Sequence, residues 1–163
     1  MNRQDIKLDL TGKTIFVGID VHKKTWHLTA LHGDLSKSKS IESDAKHLHT
    51  YLNNRYPNAT FKACYEAGHF GFKIKEDLDK LGIETIVVNP ADIPTTDKEK
   101  RTKTDPVDSK KLAQHLKNGV LNGIYVPDRS KQEQRSLYRR RADIVRKITR
   151  VKNQLKSDLS FYG

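Results

Sequence analysis

Residues 14–20 read Thr-Ile-Phe-Val-Gly-Ile-Asp, an apolar run that ends in a carboxylate, Asp20. Its β-branched and aromatic residues predict a central strand. A second run, residues 61–66 (Phe-Lys-Ala-Cys-Tyr-Glu), ends in Glu66 in the same way. A carboxylate at the end of a buried strand is costly unless it is paired or bound to a metal ion. The two strand ends therefore suggest a site for a hard cation with oxygen ligands.

A third acidic cluster opens a predicted helix at residues 104–108, Thr-Asp-Pro-Val-Asp. Asp105 and Asp108 are three positions apart, so both can face one side of the first turn. Four converging carboxylates would hold one or two Mg²⁺ or Mn²⁺ ions, as in phosphodiester transfer. An alternative stays open for each: Asp105 and Asp108 also make an ordinary helix start. Asp20 also fits a turn, and Glu66 fits a surface ion pair.

The order of predicted elements places these residues in one fold. Strands are predicted at 14–20, 25–31 and 35–42, then a helix at 45–55 capped by Asp44, a strand at 60–66, a helix at 72–81, a strand at 83–89, and helices at 105–117 and 130–159. Three meandering strands followed by alternating helices and strands indicate a mixed five-stranded α/β sheet of the ribonuclease H-like type. In that fold strands one and four are neighbours, which brings Asp20 and Glu66 together. Residues 95–103 are predicted to be a mobile loop.

Positive charge is concentrated at the end of the chain. The net charge is +11, and residues 129–163 carry 11 Lys and Arg against three acidic residues. Such a surplus favours a polyanion, most often nucleic acid, over a merely solvated helix. The predicted nucleic-acid contacts are Lys23, Lys98, Lys100, Arg101, Lys103, Arg135, Arg139, Arg140, Arg146, Lys147, Arg150 and Lys152.

Several classes of protein are excluded. No run approaches the ~18 apolar residues of a membrane span, and residues 1–13 lack the apolar core of a signal peptide. The single cysteine, Cys64, excludes an internal disulfide and a cysteine-rich zinc module. Cys64 is predicted to be a small core residue, and the chain is predicted to be cytoplasmic.

His22 could contact phosphate or a metal-bound water, or be an ordinary turn histidine.

The last helix has an apolar seam whose members step by three, four or seven, although Arg141 interrupts it. The seam consists of Leu137, Ile144, Ile148, Val151, Leu155 and Leu159. This spacing resembles a coiled coil. It predicts packing on another helix, as in a homodimer or higher oligomer.

Four ordered motifs carry a family resemblance: residues 18–23 (Gly-Ile-Asp-Val-His-Lys), 65–68 (Tyr-Glu-Ala-Gly), 88–90 (Val-Asn-Pro) and 103–108 (Lys-Thr-Asp-Pro-Val-Asp). Over about residues 14–160 the chain resembles the amino-terminal domain of DEDD transposases of the insertion-sequence-110 family. The resemblance implies a RuvC-like ribonuclease H fold and a coiled-coil region. It also implies a catalytic, metal-binding tetrad and DNA insertion and excision guided by a structured bridge RNA. The tetrad would be Asp20, Glu66, Asp105 and Asp108, with Mg²⁺ or Mn²⁺ as cofactor.

The expected domains are a polar extension at 1–13, a RuvC-like catalytic domain at 14–128 and a basic coiled-coil-like helix at 129–163. The family resemblance implies a second, carboxyl-terminal domain with a nucleophilic serine. Because the chain stops at Gly163, we expect a fragment that does not complete recombination alone, in a bacterial or archaeal cytoplasm near the nucleoid. No nucleophile role is assigned to Ser109, Ser130, Ser136, Ser157 or Ser160.

Three other functions compete with this interpretation. One is a stand-alone Mg²⁺-dependent junction-resolving nuclease, and another is a non-catalytic module for nucleic-acid binding and dimerisation. The third is a sugar-kinase or actin-like ATPase, which also begins with a Gly-Ile-Asp strand. That class needs a second phosphate-binding hairpin with Gly and Thr, which the sequence lacks.

Overall fold

The computed structural model describes residues 10–94 and 105–163. Its strands are β1 (Thr14–Val21), β2 (Thr25–His32), β3 (Leu35–Glu42), β4 (Thr60–Glu66) and β5 (Ile83–Val88). Its α-helices are α1 (Ala45–Arg55), α2 (Lys73–Lys80), α3 (Asp105–Lys117) and α4 (Arg129–Tyr162). These elements match the predicted order. The loop predicted at 95–103 lies outside the described residues, as do residues 1–9 of the predicted extension.

The five strands form one mixed sheet in the order β3-β2-β1-β4-β5. β1 pairs antiparallel with β2, and β2 pairs antiparallel with β3. β1 pairs parallel with β4, and β4 pairs parallel with β5. The predicted α/β fold is confirmed, because this strand order with flanking helices is consistent with a RuvC-like fold.

Helices cover both faces of the sheet. On one face, Cys64 of β4 and Val88 of β5 cluster with Leu112 of α3. On the other, the Tyr65 hydroxyl donates to the Gly71 carbonyl before α2, at 3.2 Å. The side chains of a strand alternate between faces. The buried residues Ile15, Val17 and Ile19 of β1 therefore lie on the face of the sheet away from α3.

Hydrogen bonds of capping side chains explain where two elements begin or end, and one predicted cap is absent. Asp44 occupies the N-cap position of α1, but its side chain makes no capping hydrogen bond, so that part of the prediction is wrong. β5 ends at Val88 because the Asn89 side chain accepts from the Ala91 amide, at 3.3 Å, and caps a 3-10 turn at Pro90–Asp92. α4 begins at Arg129 because Asp128 accepts from the Lys131 amide at 2.8 Å.

Residues 125–163 form a compact unit separate from residues 1–124. α4 supplies 34 of them, and all six seam residues are exposed, between 48% for Ile144 and 71% for Leu159. The seam thus lies uncovered along the helix. Within the described ranges, no helix combines the length and apolar character needed to cross a membrane.

Candidate active site

Gly18 and Cys64 are paired across β1 and β4, and both face α3. A Cβ atom added to Gly18 would lie 2.8 Å from the Leu112 Cβ and closer still to the Ser109 carbonyl oxygen. The Cys64 thiol contacts the Leu112 carbonyl, with an Sγ–O distance of 3.5 Å. The absence of a side chain at Gly18 is what allows α3 to lie directly on β1.

Asp20 and Glu66 each lie two residues after this pair and therefore on the same, α3-facing side of the sheet. Each also follows the paired residues Ile19 and Tyr65 by one position, so the two carboxylates lie at adjacent strand ends. The Asp20 side chain is 24% exposed, and Glu66 is exposed. The register of β1 and β4 therefore places the backbones of Asp20 and Glu66 next to each other, as predicted.

The first turn of α3 lies at the same end of the sheet. Thr29, the β2 partner of Gly18, is hydrogen bonded to Ser109, with an Oγ1–Oγ distance of 2.9 Å. His27, the β2 partner of Asp20, shares a cavity of about 280 Å³ with Pro106 and Ser109. α3 therefore starts beside the row that contains His27, Asp20 and Glu66.

The last two members of the predicted tetrad belong to this first turn. Asp105 is the first residue of α3, but its side chain is outside the described part of the structure. Asp108 is half-buried. Among the described side chains, no group of three His, Cys, Asp or Glu is close enough to hold a metal ion. The fold brings β1, β4 and the start of α3, which carry the carboxylates, to one end of the sheet. The described side chains do not come close enough together there to form a complete set of metal ligands.

His22 and His27 add imidazoles to the carboxylate row. The His22 Nε2 lies 3.1 Å from the Asp20 Oδ2, and the His22 side chain is 48% exposed. The rings of His22 and His27 meet edge to face, 5.9 Å between centroids. The His27 Nδ1 is 2.8 Å from the Ser40 Oγ. His27 was not among the predicted site residues, although strand alternation places it on the same face as Thr29.

Ser109 has a structural part in the site. It is fully buried, and its Oγ donates to the Pro106 carbonyl at 3.2 Å besides contacting Thr29. These bonds tie the first turn of α3 to β2. No sequence motif signalled this pair, because it joins residues 80 positions apart.

Cys64 is a core residue, as predicted, and its environment gives a pH-dependent stability. Burial, followed by the nearby Glu66 charge, raises the pKa of the Cys64 thiol. In the unfolded chain this thiol loses its proton near pH ~8.5. Above that pH the native state holds more protons than the unfolded state, so stability falls as pH rises.

We expect wild type to lose up to about 1.4 kcal/mol more stability per pH unit than Cys64→Ala between pH ~8.5 and 9.5. Urea unfolding of both proteins at several pH values would measure this difference. Parallel stability–pH curves for the two would contradict it.

The basic residues predicted to contact nucleic acid fall into three groups. Lys23 is exposed in the β1–β2 turn. Lys98, Lys100, Arg101 and Lys103 lie outside the described residues. The third group is exposed along α4 and consists of Arg135, Arg139, Arg140, Arg146, Lys147, Arg150 and Lys152. Asp143 pairs with Arg146 and Lys147, at 3.3 and 3.4 Å, so the other five carry most of the uncompensated charge.

The fold and the site define a class: an α/β domain with the strand order of RuvC-like ribonuclease H folds and carboxylates at adjacent strand ends. Comparison with known proteins agrees. The family model of DEDD transposases of the IS110 type, described as a transposase, matches residues 17–163. The chain belongs to this family, which confirms the resemblance seen in its motifs.

Similar proteins carry transposase names. y4rJ of Sinorhizobium fredii is 30% identical over 176 residues, covering 97% of this chain and 44% of that protein. y4qE of the same organism is 30% identical, covering 91% and 39%. The transposase for insertion sequence element IS1533 of Leptospira borgpetersenii is 29% identical, covering 65% and 32%. The chain thus spans less than half the length of each of these relatives.

Proposed function

We propose that this chain is the metal-binding part of a DNA transposase that inserts and excises DNA by phosphodiester transfer under the direction of a structured guide RNA. The observation that carries the catalytic part is the placement of Asp20 and Glu66 at adjacent strand ends, facing the helix that begins at Asp105. The transposase family supports DNA as the substrate. The guide RNA rests on the motif resemblance.

The residues present fit a divalent cation. The proposed ligands are Asp20, Glu66, Asp105 and Asp108, and oxygen donors suit the hard cations Mg²⁺ and Mn²⁺. When bound, such an ion activates an attacking oxygen and stabilises the leaving oxygen. Where the four carboxylates converge, their like charges would repel each other, and a bound cation would offset that repulsion.

His22 and the central strand have separate tasks in this proposal. The pairing of β1 with β2 fixes the backbone of Asp20, whose partner in β2 is His27. The His22 imidazole, with its Nε2 3.1 Å from the Asp20 Oδ2, holds that carboxylate in place. Glu66 is exposed and can turn to meet a cation and a phosphate.

Metal binding tests the proposal directly. Mn²⁺ at about 100 times its dissociation constant should raise the free energy of unfolding of the wild type by about 2.7 kcal/mol. Asp20→Asn and Glu66→Gln should lose most of that gain. The matched control is Glu84→Gln, because Glu84 is exposed on the α3-facing side at the opposite end of β5. Equal stabilisation of all four proteins, or of none, would refute the site.

The exposed cations of α4 support a role in nucleic-acid binding, and the uncovered seam supports assembly into a homodimer or higher oligomer.

If Arg139 and Arg150 contact phosphates, each alanine variant should weaken binding to all sequences alike. Each should also reduce the slope of log K against log salt by about 1. Electrophoretic mobility shifts at several salt concentrations measure this. Lys80→Ala, an exposed lysine of α2, is the control, and an unchanged slope in the arginine variants would contradict the contacts.

A further inference from the structure

A second cavity, of about 270 Å³, lies around the β1–β2 turn, the start of α1 and the beginning of α2. Its wall includes the aromatic side chains of Trp26 and Phe70 and the aliphatic side chain of Ile74. Trp26 is only 4% exposed, whereas Phe70 is half-buried. The volume is slightly below the ~300 Å³ at which pockets for drug-sized ligands begin. A cavity of this size has room for one ring system.

The polar groups of this cavity are hydrogen-bond acceptors and donors without a strong net charge. Lys73 is neutralised by Asp77, with an Nζ–Oδ2 distance of 2.9 Å. Asp44 is half-buried, and within residues 10–94 and 105–163 its carboxylate has neither a capping hydrogen bond nor an ion pair. An aspartate in this state is an available acceptor for an amino group.

The cavity lies on the face of the sheet away from α3, because Trp26 is paired with Val21, the residue after Asp20, and the His22 side chain links it to the carboxylate row. His22 lines the cavity, and its Nε2 is 3.1 Å from the Asp20 Oδ2. Lys23, also in the wall, is exposed and has no ion pair within the described part of the chain. A ligand in the cavity would thus lie beside Lys23, close to the end of β1 that holds Asp20.

We propose that this cavity binds one unstacked nucleobase with an exocyclic amino group, from a single-stranded nucleic-acid segment beside the carboxylates. The inference rests on the proposed nucleic-acid function of the same edge. Phe70 stacks on the base, as aromatic side chains do in single-strand binding. Asp44 accepts from the amino group, as Asp and Glu accept from N4 of cytosine. Thymine, which has a carbonyl at that position, leaves Asp44 without a donor.

The single tryptophan of the chain reports on the cavity directly, because Trp26 lines it. Oligo(dC) octanucleotide should quench the fluorescence of Trp26 saturably, with an affinity about tenfold higher than oligo(dT). The titration is done in EDTA, so it does not depend on the metal. Metal binding without quenching would refute this inference alone, and quenching without metal binding would refute the proposed metal site alone.

Two variants separate stacking from base recognition. Phe70→Ala should weaken binding of both oligonucleotides about tenfold or more, the size expected for one lost base stack. Asp44→Asn should bring the dC-to-dT affinity ratio close to one, and it keeps a good N-cap residue on α1. Asp34→Asn, fully exposed in the β2–β3 turn, should leave the ratio unchanged.

Oligocytidine RNA, titrated in parallel, identifies which strand supplies the base, and saturable quenching by either chemistry supports the cavity. Absence of saturable quenching by both would overturn the proposal. Equal affinity for dC and dT in the wild type, or an Asp44→Asn variant that keeps the wild-type ratio, would overturn it as well.

Discussion

Gly18→Ala should lower the free energy of unfolding of this domain by about 3 kcal/mol, the upper end of the usual range for overpacking. The added Cβ would lie 2.8 Å from the Leu112 Cβ, and closer to the Ser109 carbonyl oxygen and the Ala113 amide nitrogen. Two of these three neighbours are backbone atoms of α3, which cannot rotate away. The helix as a whole must move off β1.

Urea unfolding monitored by circular dichroism measures this loss as a lower midpoint with an unchanged slope. Gly68→Ala is the matched control, because its added Cβ would have no neighbour closer than 4.0 Å. A second readout is metal binding, because displacement of α3 also displaces Asp105 and Asp108. Gly18→Ala with wild-type stability would mean that α3 does not contact β1 as described.

The strand order was predictable because it follows from local patterns. Alternation in β1 and β2, the apolar run of β5 and the acidic start of α3 each act over a few residues. Together they allow few connected topologies. The proximity of Asp20 to Glu66 followed from that topology, since each comes directly after the paired residues Ile19 and Tyr65 of neighbouring parallel strands.

The remaining details depend on contacts between distant residues. The Thr29–Ser109 bond spans 80 positions, so no local pattern could show it. Gly18 carried a readable signal, because glycine inside a strand often marks a close backbone approach. The missing cap at Asp44 also escaped prediction. Its residue type and its extended backbone both fit an N-cap, yet its side chain makes no capping hydrogen bond.

Asp20→Asn should reduce Mg²⁺-dependent strand cleavage by the transposase at least about 10³-fold, which corresponds to roughly 4 kcal/mol of transition-state stabilisation. Among the proposed ligands Asp20 is the one held by a central strand, and its amide replacement removes charge while keeping the shape. The His22 imidazole, 3.1 Å from Asp20, would then orient a neutral group that binds a cation weakly.

The measurement is the single-turnover rate of cleavage of a DNA that carries the element's ends, with the guide RNA present. Glu84→Gln should keep the wild-type rate, because Glu84 lies at the far end of the same sheet face. Asp20→Asn should still bind DNA and RNA with wild-type salt dependence, since the cations of α4 are untouched. A variant that cleaves at the wild-type rate, or a wild type that cleaves in EDTA, would remove Asp20 from the chemistry. Loss of cleavage together with loss of DNA binding would point instead to a structural role for the β1 edge.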